Sequence, residues 1–376
     1  MIIIASHAVF AADGEPVHGT GSEIGNFLQQ KRLDYLFIKH SLYGGFPTLI
    51  DKFFNGKLTT KSYGFRNLPF PLRIIQEQII NFYFVFKGKK IKLFVGIDPL
   101  NAFSGILAKK IGRVEKTVFY TADYAHQRFE NSFLNWIYHW FDHFAIKHAD
   151  QVWNVSTRIT ELREKQGVPR KKNFFVPNTP IFKKVKRLPY SCINKHDLVI
   201  VSNLTRSLNY PLIFKAVKKL SSKYPDIHLI IIGQGPYEKE LKQIVGKMRM
   251  GKRVFFLGRK SHQEVLKILA KSAVGIAPYT TEEPWREFCD SLKIREYFAC
   301  GLPVITTNIS STADDVRKFQ AGFVIKIKKE EFVGAIDQLF SNKKLYLKMR
   351  KNGISLAKKY DFFKVISKVF KNLGIL

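Results

Sequence analysis

Short apolar runs, each closed by glycine or a polar turn, alternate along this chain with longer stretches in which apolar residues recur every three or four positions. The first pattern is that of strands buried on both faces. The second is that of amphipathic helices, and their alternation predicts βαβ units with parallel sheets. In the first half, strands are predicted at Ile2–Ser6, Tyr35–His40, Leu93–Ile97, Thr117–Tyr120, Gln151–Val155 and Phe174–Val176. Helices are predicted there at Ser22–Gln30, Leu72–Phe86, Asn101–Ile111, Ser132–His148 and Thr157–Gly167. The second half repeats the rhythm, with strands at Leu198–Ser202, His228–Ile232, Val254–Leu257, Val274–Ala277, Val304–Thr307 and Gly322–Ile325. Its helices are expected at Pro211–Lys223, Tyr237–Met248, His262–Lys271, Leu292–Cys300, Thr312–Phe319, Glu330–Ser341 and Lys344–Tyr360.

Between the halves, Pro177–Asp197 holds three prolines and a basic cluster with weak periodicity, and reads as a linker. The expected architecture is α/β, with two Rossmann-like, doubly wound domains facing a cleft. Their bounds are expected at 1–180 and 198–360, with a linker over 181–197 and a separate segment over 361–376. Ligands of such sheets bind outside the carboxyl ends of the strands, which puts the expected site in that cleft.

Composition narrows the class. A chain of 376 residues has room for about two domains. A hydrophobic content of 45% excludes a mainly disordered chain. Three cysteines, Cys192, Cys289 and Cys300, can neither staple a chain this long nor form a zinc module, and they suit a reducing, cytoplasmic setting. The longest apolar candidate for a span, Ile79–Phe86, is far short of the roughly 20 residues needed. The opening MIIIASHAVF lacks a basic segment and a small-residue cleavage site, so it is expected as a buried first strand and not a secretory signal. Against 30 Asp and Glu stand 62 Lys and Arg, a formal net charge of +32, most of it after residue 180. Such a chain is drawn to nucleic acid, anionic lipid and phosphorylated small molecules alike. No nucleic-acid module signature is present, so no specific nucleic-acid partner is expected. Phe70–Phe94 and Phe133–Phe144 mix aromatics with Lys, Arg and His, a combination that suits an anionic membrane surface. The same aromatics would equally serve as the first domain's core.

The most informative stretch is CDSLKIREYFACGLPVITT, Cys289–Thr307. It reads as a polar turn, a helix and a buried strand. Asp290 or Ser291 can cap the helix. The free N–H groups at its start, around Ser291 and Leu292, form an anion site, and Lys293 adds a point charge beside it. Glu296, one turn on, can accept hydrogen bonds from sugar hydroxyls. Gly301 and Pro303 then end the helix. Asp314 and Asp315 could be taken for metal ligands, but after Ser310-Ser311-Thr312 they suit the first turn of a helix better.

This stretch, with Glu296-Tyr-Phe-Ala-Cys-Gly301-Leu-Pro303-Val304, resembles the nucleotide-sugar-binding element of GT-B retaining glycosyltransferases of the group 1, or family 4, class. IIIGQGPYEKEL (Ile230–Leu241), the segment Val254–Glu283, and ADQVWNVSTRITELREKQGV before VPNTP resemble other elements of that family in the same order. The resemblance implies that Glu296 binds the donor ribose and that the Ser291–Leu292–Lys293 turn holds the diphosphate. It implies a glycine-rich loop at Gly19–Gly21 facing donor phosphate and acceptor, and a last segment, 361–376, that crosses back to the first domain. The family's earlier glutamate position is Phe288 here, with Glu287 beside it. The usual Arg and Lys after the first strand of the second domain are Asn203 and Leu208, which makes Arg206 and Lys293 the remaining cations for the leaving diphosphate. The family's His-Asp pair appears as Ala122-Asp123, with Asp123, His126 and Arg128 as the nearby polar groups.

The resemblance thus implies a metal-independent hexosyltransferase without a cofactor. It would move a sugar with retention from a nucleoside-diphosphate sugar to a glycan or lipid-linked acceptor. The aromatic and basic stretches Phe70–Phe94 and Phe133–Phe144 add, on their own account, an anionic membrane surface as a further expected partner. Asp123, His126 and Glu287 are the catalytic candidates. Arg206, Ser291, Leu292, Lys293, Glu296, Gly19 and Gly21 are the donor-site candidates. The competing readings are a non-catalytic basic binding protein on a degenerate GT-B fold, or a nucleotide-sugar epimerase, which would need further carboxylates in the cleft.

Overall fold

A computed structural model describes residues 1–10, 14–17, 19–88 and 90–376. Two compact units emerge, one formed by Met1–Val176 with Phe363–Leu376 and the other by Pro177–Phe362.

The first unit is built on an eight-stranded sheet in the order β4-β3-β2-β1-β5-β6-β7-β8. Its strands are β1 (Ile2–Ala8), β2 (Tyr35–Ser41), β3 (Thr48–Phe54), β4 (Lys57–Tyr63), β5 (Ile91–Ile97), β6 (Val114–Thr121), β7 (Gln151–Asn154) and β8 (Asn173–Phe175). Strands β1, β2 and β5 to β8 pair in parallel, linked by α1 (Thr20–Gln30), α2 (Phe70–Lys87), α3 (Pro99–Lys110), α4 (Ser132–His148) and α5 (Thr157–Lys165). Strand β1 lies at the centre because Ile2, Ile3, Ile4 and Ala5 are buried.

Two departures from the sequence reading stand out here. Strands β3 and β4 were not expected; they pair antiparallel and extend the sheet past β2. Their turn is Asn55-Gly56, both residues left-handed at φ 49° and 79°, the geometry of a tight hairpin turn. The segment 181–197, expected as a linker, folds onto the second unit, where Val185 and Ile193 are buried in its core.

The second unit carries a six-stranded parallel sheet, β11-β10-β9-β12-β13-β14. These strands are β9 (Asp197–Val201), β10 (His228–Ile232), β11 (Val254–Phe256), β12 (Val274–Ala277), β13 (Val304–Thr307) and β14 (Gly322–Ile325). The helices are α6 (Tyr210–Leu220), α7 (Glu238–Lys247), α8 (His262–Lys271), α9 (Leu292–Cys300), α10 (Thr312–Lys318), α11 (Lys329–Ser341) and α12 (Lys343–Lys359). One apolar core joins sheet and helices, with Ile200, Ile231, Ile276, Tyr297, Phe298 and Phe332 at its centre. The final helix, α13 (Phe362–Asn372), belongs from Phe363 onward to the first unit. There Phe370 packs on Phe27 and Trp153.

Candidate functional site

In the second sheet the chain builds outward from β9 in one direction and then returns to β9 from the other side with β12. The loops after β9 and β12 therefore part company at one place on the carboxyl edge, and such a switch point is where open α/β sheets bind ligands. The two loops are joined at their bases. Leu208 and Tyr279 form an isolated bridge, Thr280 N–H donates to Ser207 O (3.1 Å), and Arg286 Nη2 donates to Ser207 Oγ (3.0 Å). Gly235, within the IIIGQGPYEKEL segment, presses its backbone on Leu204 so closely that any Cβ would collide with the Leu204 backbone. Its role is loop packing.

Helix α9 starts at this edge. Ser291 is its N-cap, with Oγ accepting from Ile294 N–H and sharing a 2.6 Å hydrogen bond with the Tyr279 hydroxyl. Burial, together with the neighbouring Cys289, pushes the Tyr279 phenol up to about 12, so it remains protonated. The Ser291 N–H was expected to face phosphate. It donates instead to Thr312 Oγ1 (2.7 Å), and the residue is buried. The donors left at the tip are the N–H groups of Leu292, which is exposed, and Lys293.

Beneath the tip lies an ion triad that the sequence reading did not anticipate. Arg295 Nη2 reaches Asp290 Oδ1 (2.7 Å) and Asp315 Oδ2 (2.6 Å), and all three residues are buried. Burial raises the Asp290 carboxyl above its usual range even beside the guanidinium. Asp290 also accepts from Asn178 N–H (2.9 Å) and the Thr312 hydroxyl (3.1 Å), tying the turn before α9 to α10 and to residue 178. Asp314 pairs with Arg317 instead.

Glu296, one turn into α9, is 3% exposed. Its Oε1 lies 2.8 Å from Nε2 of His262, the first residue of α8, whose own side chain is mostly exposed. A capping box between Ser261 and Glu264 fixes that helix start. His262 was expected only as the start of a helix and not as a site residue. Its position directly after a Ser-x-x-Glu cap was the available signal, but nothing in one sequence joins it to a residue 34 positions on.

Three cations lie on the loops and helix around this edge. Arg206 pairs with Glu240 and stacks over the Tyr237 ring, and Arg286 pairs with Glu283 at 2.5 Å. Lys293 makes no ion pair among the described residues. Glu287 is an exposed residue of the short turn Pro284–Phe288, while Phe288, at the family's glutamate position, is buried. No carboxylate therefore stands in the Phe288 position.

The first unit's candidates are more dispersed. Gly19 is the exposed N-cap of α1, where an added Cβ would meet Val17 O only at 4.0 Å. Gly21 is buried where a Cβ would strike Phe37 and Ile97, so it serves close helix–sheet packing. Asp123 follows β6, about half exposed, and pairs with Arg128 at 2.7 Å. His126 is exposed, and its carbonyl accepts from His139 Nε2 (2.8 Å).

At the first sheet's own switch point, between β1 and β5, the structure shows a second unanticipated cluster. His7 donates Nδ1–H to Asp98 (2.8 Å) and Nε2–H to Glu77 (2.9 Å). Burial opposes its protonation, but Asp98 and then Glu77 outweigh that and raise the imidazole to about 10. Neighbouring His40, buried and facing this cation, is pushed down to about 4. It is held between Thr48 and Asn81. Asp98 caps α3 through Asn101 N–H (2.9 Å) and sits at φ 100°, a strained value for a residue with a Cβ. Among the described residues no group of three or more His, Cys, Asp or Glu side chains is arranged to hold a metal ion.

Two doubly wound units, the first completed by the last helix of the chain, constitute the GT-B fold of glycosyltransferases, and solved structures agree along the full length. Anabaena HepE, solved with UDP, superposes with a TM-score of 0.75 at 16% identity, covering 100% of both chains. A glycosyltransferase from Rickettsia africae gives 0.73 at 15% identity, covering 99% of this chain and 98% of that one. Residues 193–356, most of the second unit, match the family model described as glycosyl transferases group 1.

Among curated relatives, one of the proteins that make up the human phosphatidylinositol N-acetylglucosaminyltransferase is 30% identical over 118 residues, 31% of this chain and 23% of that protein. An uncharacterized glycosyltransferase of Haemophilus influenzae is 27% identical over 176 residues, 46% of this chain and 48% of that one. A GDP-mannose-dependent phosphatidylinositol monomannoside mannosyltransferase of Corynebacterium glutamicum is 25% identical over 199 residues, 52% of this chain and 45% of that one. This chain thus spans less than half the length of each of these relatives.

Proposed function

We propose that this chain is a retaining, metal-independent hexosyltransferase that takes a sugar from a nucleoside-diphosphate sugar and attaches it to a hydroxyl of a glycan or lipid-linked acceptor. The observation that carries the reading is the start of α9, where two N–H groups and Lys293, all without a partner among the described residues, stand one turn before the carboxylate of Glu296. A helix start of this kind favours a pyrophosphate, and Glu296 suits the two hydroxyls of a ribose. Relatives whose names include phosphatidylinositol support a lipid-linked acceptor, and a neighbour solved with UDP supports a nucleotide ligand.

In this reading the bond between the sugar's anomeric carbon and the phosphate oxygen breaks, and the acceptor oxygen bonds to that carbon on the same face. The acceptor's proton passes to the departing phosphate oxygen, so little is asked of a protein base. The negative charge that develops on the diphosphate is met by the α9 N–H groups and Lys293, a preorganised electrostatic environment. Arg206 could add to this only by leaving Glu240. Asp123, already paired with Arg128, and His126 are the first unit's groups for orienting the acceptor.

The test is calorimetric titration of UDP, GDP and their sugars, with nucleotide release as the activity readout. Glu296→Gln replaces a charged hydrogen-bond acceptor by a neutral one and should weaken donor binding about 10- to 100-fold, the equivalent of about 1.5–3 kcal/mol. Lys293→Ala should weaken diphosphate binding and make it less sensitive to salt. Wild-type affinity in both variants would remove the donor site from α9.

A further inference from the structure

We propose that the outer faces of α2 and α4 form a docking surface for an anionic lipid bilayer. Helix α2 is apolar on two sides. Its inner side buries Ile80, Phe84 and Val85, and its outer side leaves Leu72, Ile75, Ile79, Tyr83 and Phe86 exposed, with Ile79 at 63%. Those five positions recur at intervals of three or four and so fall in a single stripe. A helix apolar all round is ordinarily covered on both sides. Helix α4 carries a second stripe, Phe133, Trp136 and Trp140, with Trp136 at 62% exposure. Both helices pack on α3, whose Phe103 touches Trp140, Phe141 and Phe144.

Charge identifies the occupant. Cations sit over the rings at the margins of this face: Lys87 over Tyr83 (4.8 Å), Arg113 over Phe86 (5.7 Å), Arg73 over Phe70 (5.5 Å) and Lys110 over Phe144 (5.1 Å). The one acid of each helix is withdrawn from the surface. Glu77 is buried against His7, and Asp142 is buried in a bidentate pair with Arg163. Aromatic and aliphatic side chains with basic residues around them, on two helices that expose no acid of their own, suit headgroups that are negative above an apolar layer. A second copy of this chain is a poor occupant, because it would set one +32 molecule against another. No helix of the described residues is long and apolar enough to cross a membrane, so the face would lie on the bilayer. The inference does not rest on the transferase reading, since its test involves no sugar.

The full chain is sedimented with vesicles of phosphatidylcholine alone and with one-quarter phosphatidylglycerol, at low and high salt, and tryptophan quenching by brominated lipid is recorded. Binding is expected to require phosphatidylglycerol, to weaken at least tenfold at high salt, and to quench tryptophan. The quadruple variant Ile75→Ser, Ile79→Ser, Trp136→Ser, Trp140→Ser should keep the far-ultraviolet circular dichroism of the parent and lose at least tenfold in vesicle binding. A second variant, Trp285→Phe, removes an exposed tryptophan of the other unit and should leave quenching intact. Equal binding to neutral vesicles, undiminished binding of the quadruple variant, or a vesicle-free dimer abolished by the same substitutions would each overturn the assignment.

Discussion

Replacing Arg295 by Met tests whether the buried triad sets the start of α9. Methionine is close in length and apolar, so the cavity left behind is small, and the main effect is electrostatic. Asp290 and Asp315, both buried, would face each other without the cation between them. Breaking a buried ion pair by removing one partner costs about 3–5 kcal/mol. For a unit of this size each kcal/mol corresponds to about 2–4 °C, so the midpoint should fall by roughly 6–20 °C. The sign of the pH dependence is fixed. Burial already raises the Asp290 carboxyl, and loss of the guanidinium raises it further. A carboxyl whose folded value lies above its unfolded one favours the folded state at low pH and loses that advantage as pH rises through the folded value. The gap between variant and parent should therefore be widest near pH 8 and narrow toward pH 5. Thermal melts by circular dichroism at four pH values would show it. A variant within about 1 kcal/mol of the parent at pH 8, or a gap that does not change with pH, would refute the triad's role.

Two further outcomes are expected. His7→Leu leaves Asp98 and Glu77 without their shared cation and should cost about 3–5 kcal/mol near neutral pH. Because the folded imidazole titrates at about 10 against an ordinary value of 6.5, that stabilisation is complete below pH 6.5 and disappears as pH rises through 10. Urea midpoints of parent and variant should therefore converge in that window, and parallel curves would contradict it. Gly275→Ala puts a methyl group into the Tyr297 ring inside the second core and should destabilise by about 1–3 kcal/mol; a neutral result in urea melts would show that the ring can move aside.

What the sequence conveyed follows from what periodicity can carry. Strands β10, β12, β13 and β14 and helices α4, α8 and α9 run over the residues that the apolar pattern indicated. Strand β4, KLTTKSY, escaped because it is exposed along nearly its whole length and has no apolar face to read. The Asn55-Gly56 turn was nonetheless a usable signal for the hairpin. Pro177–Asp197 looked like a linker because prolines suppress periodicity, yet Val185 and Ile193 anchor it. The capped helix that carries Lys293 and Glu296 was legible from a short contiguous pattern. His262, Asp315 and the His7 cluster were not, because each acts through a residue distant in sequence. Glu77 and Asn81 did leave a trace: two polar residues on the same face of α2 as Ile80 and Phe84, where only a buried partner can satisfy them.

The two buried clusters share a logic that stability alone does not explain. Each lies where its sheet reverses direction and each fixes the start of a helix. Asp98 caps α3 in the first unit, and Asp290 braces the turn that caps α9 in the second. A buried ion pair is on balance no more stabilising than well-packed apolar residues of the same volume. In a chain where basic residues outnumber acidic ones two to one, several of the acids are nonetheless buried at these edges: Glu77, Asp290, Glu296 and Asp315, with Asp98 partly so. Asp98 is also held at a backbone angle that any residue with a Cβ avoids. An apolar cluster would pack as well but could slide, whereas a carboxylate fixed by two or three directional bonds cannot turn without leaving a charge unpaired. The clusters therefore hold geometry. If that is their role, replacing the whole Asp290–Arg295–Asp315 triad by Asn, Met and Asn should restore much of the stability lost in Arg295→Met while leaving nucleotide affinity reduced. A triple variant that recovered both together would show the triad to be merely structural.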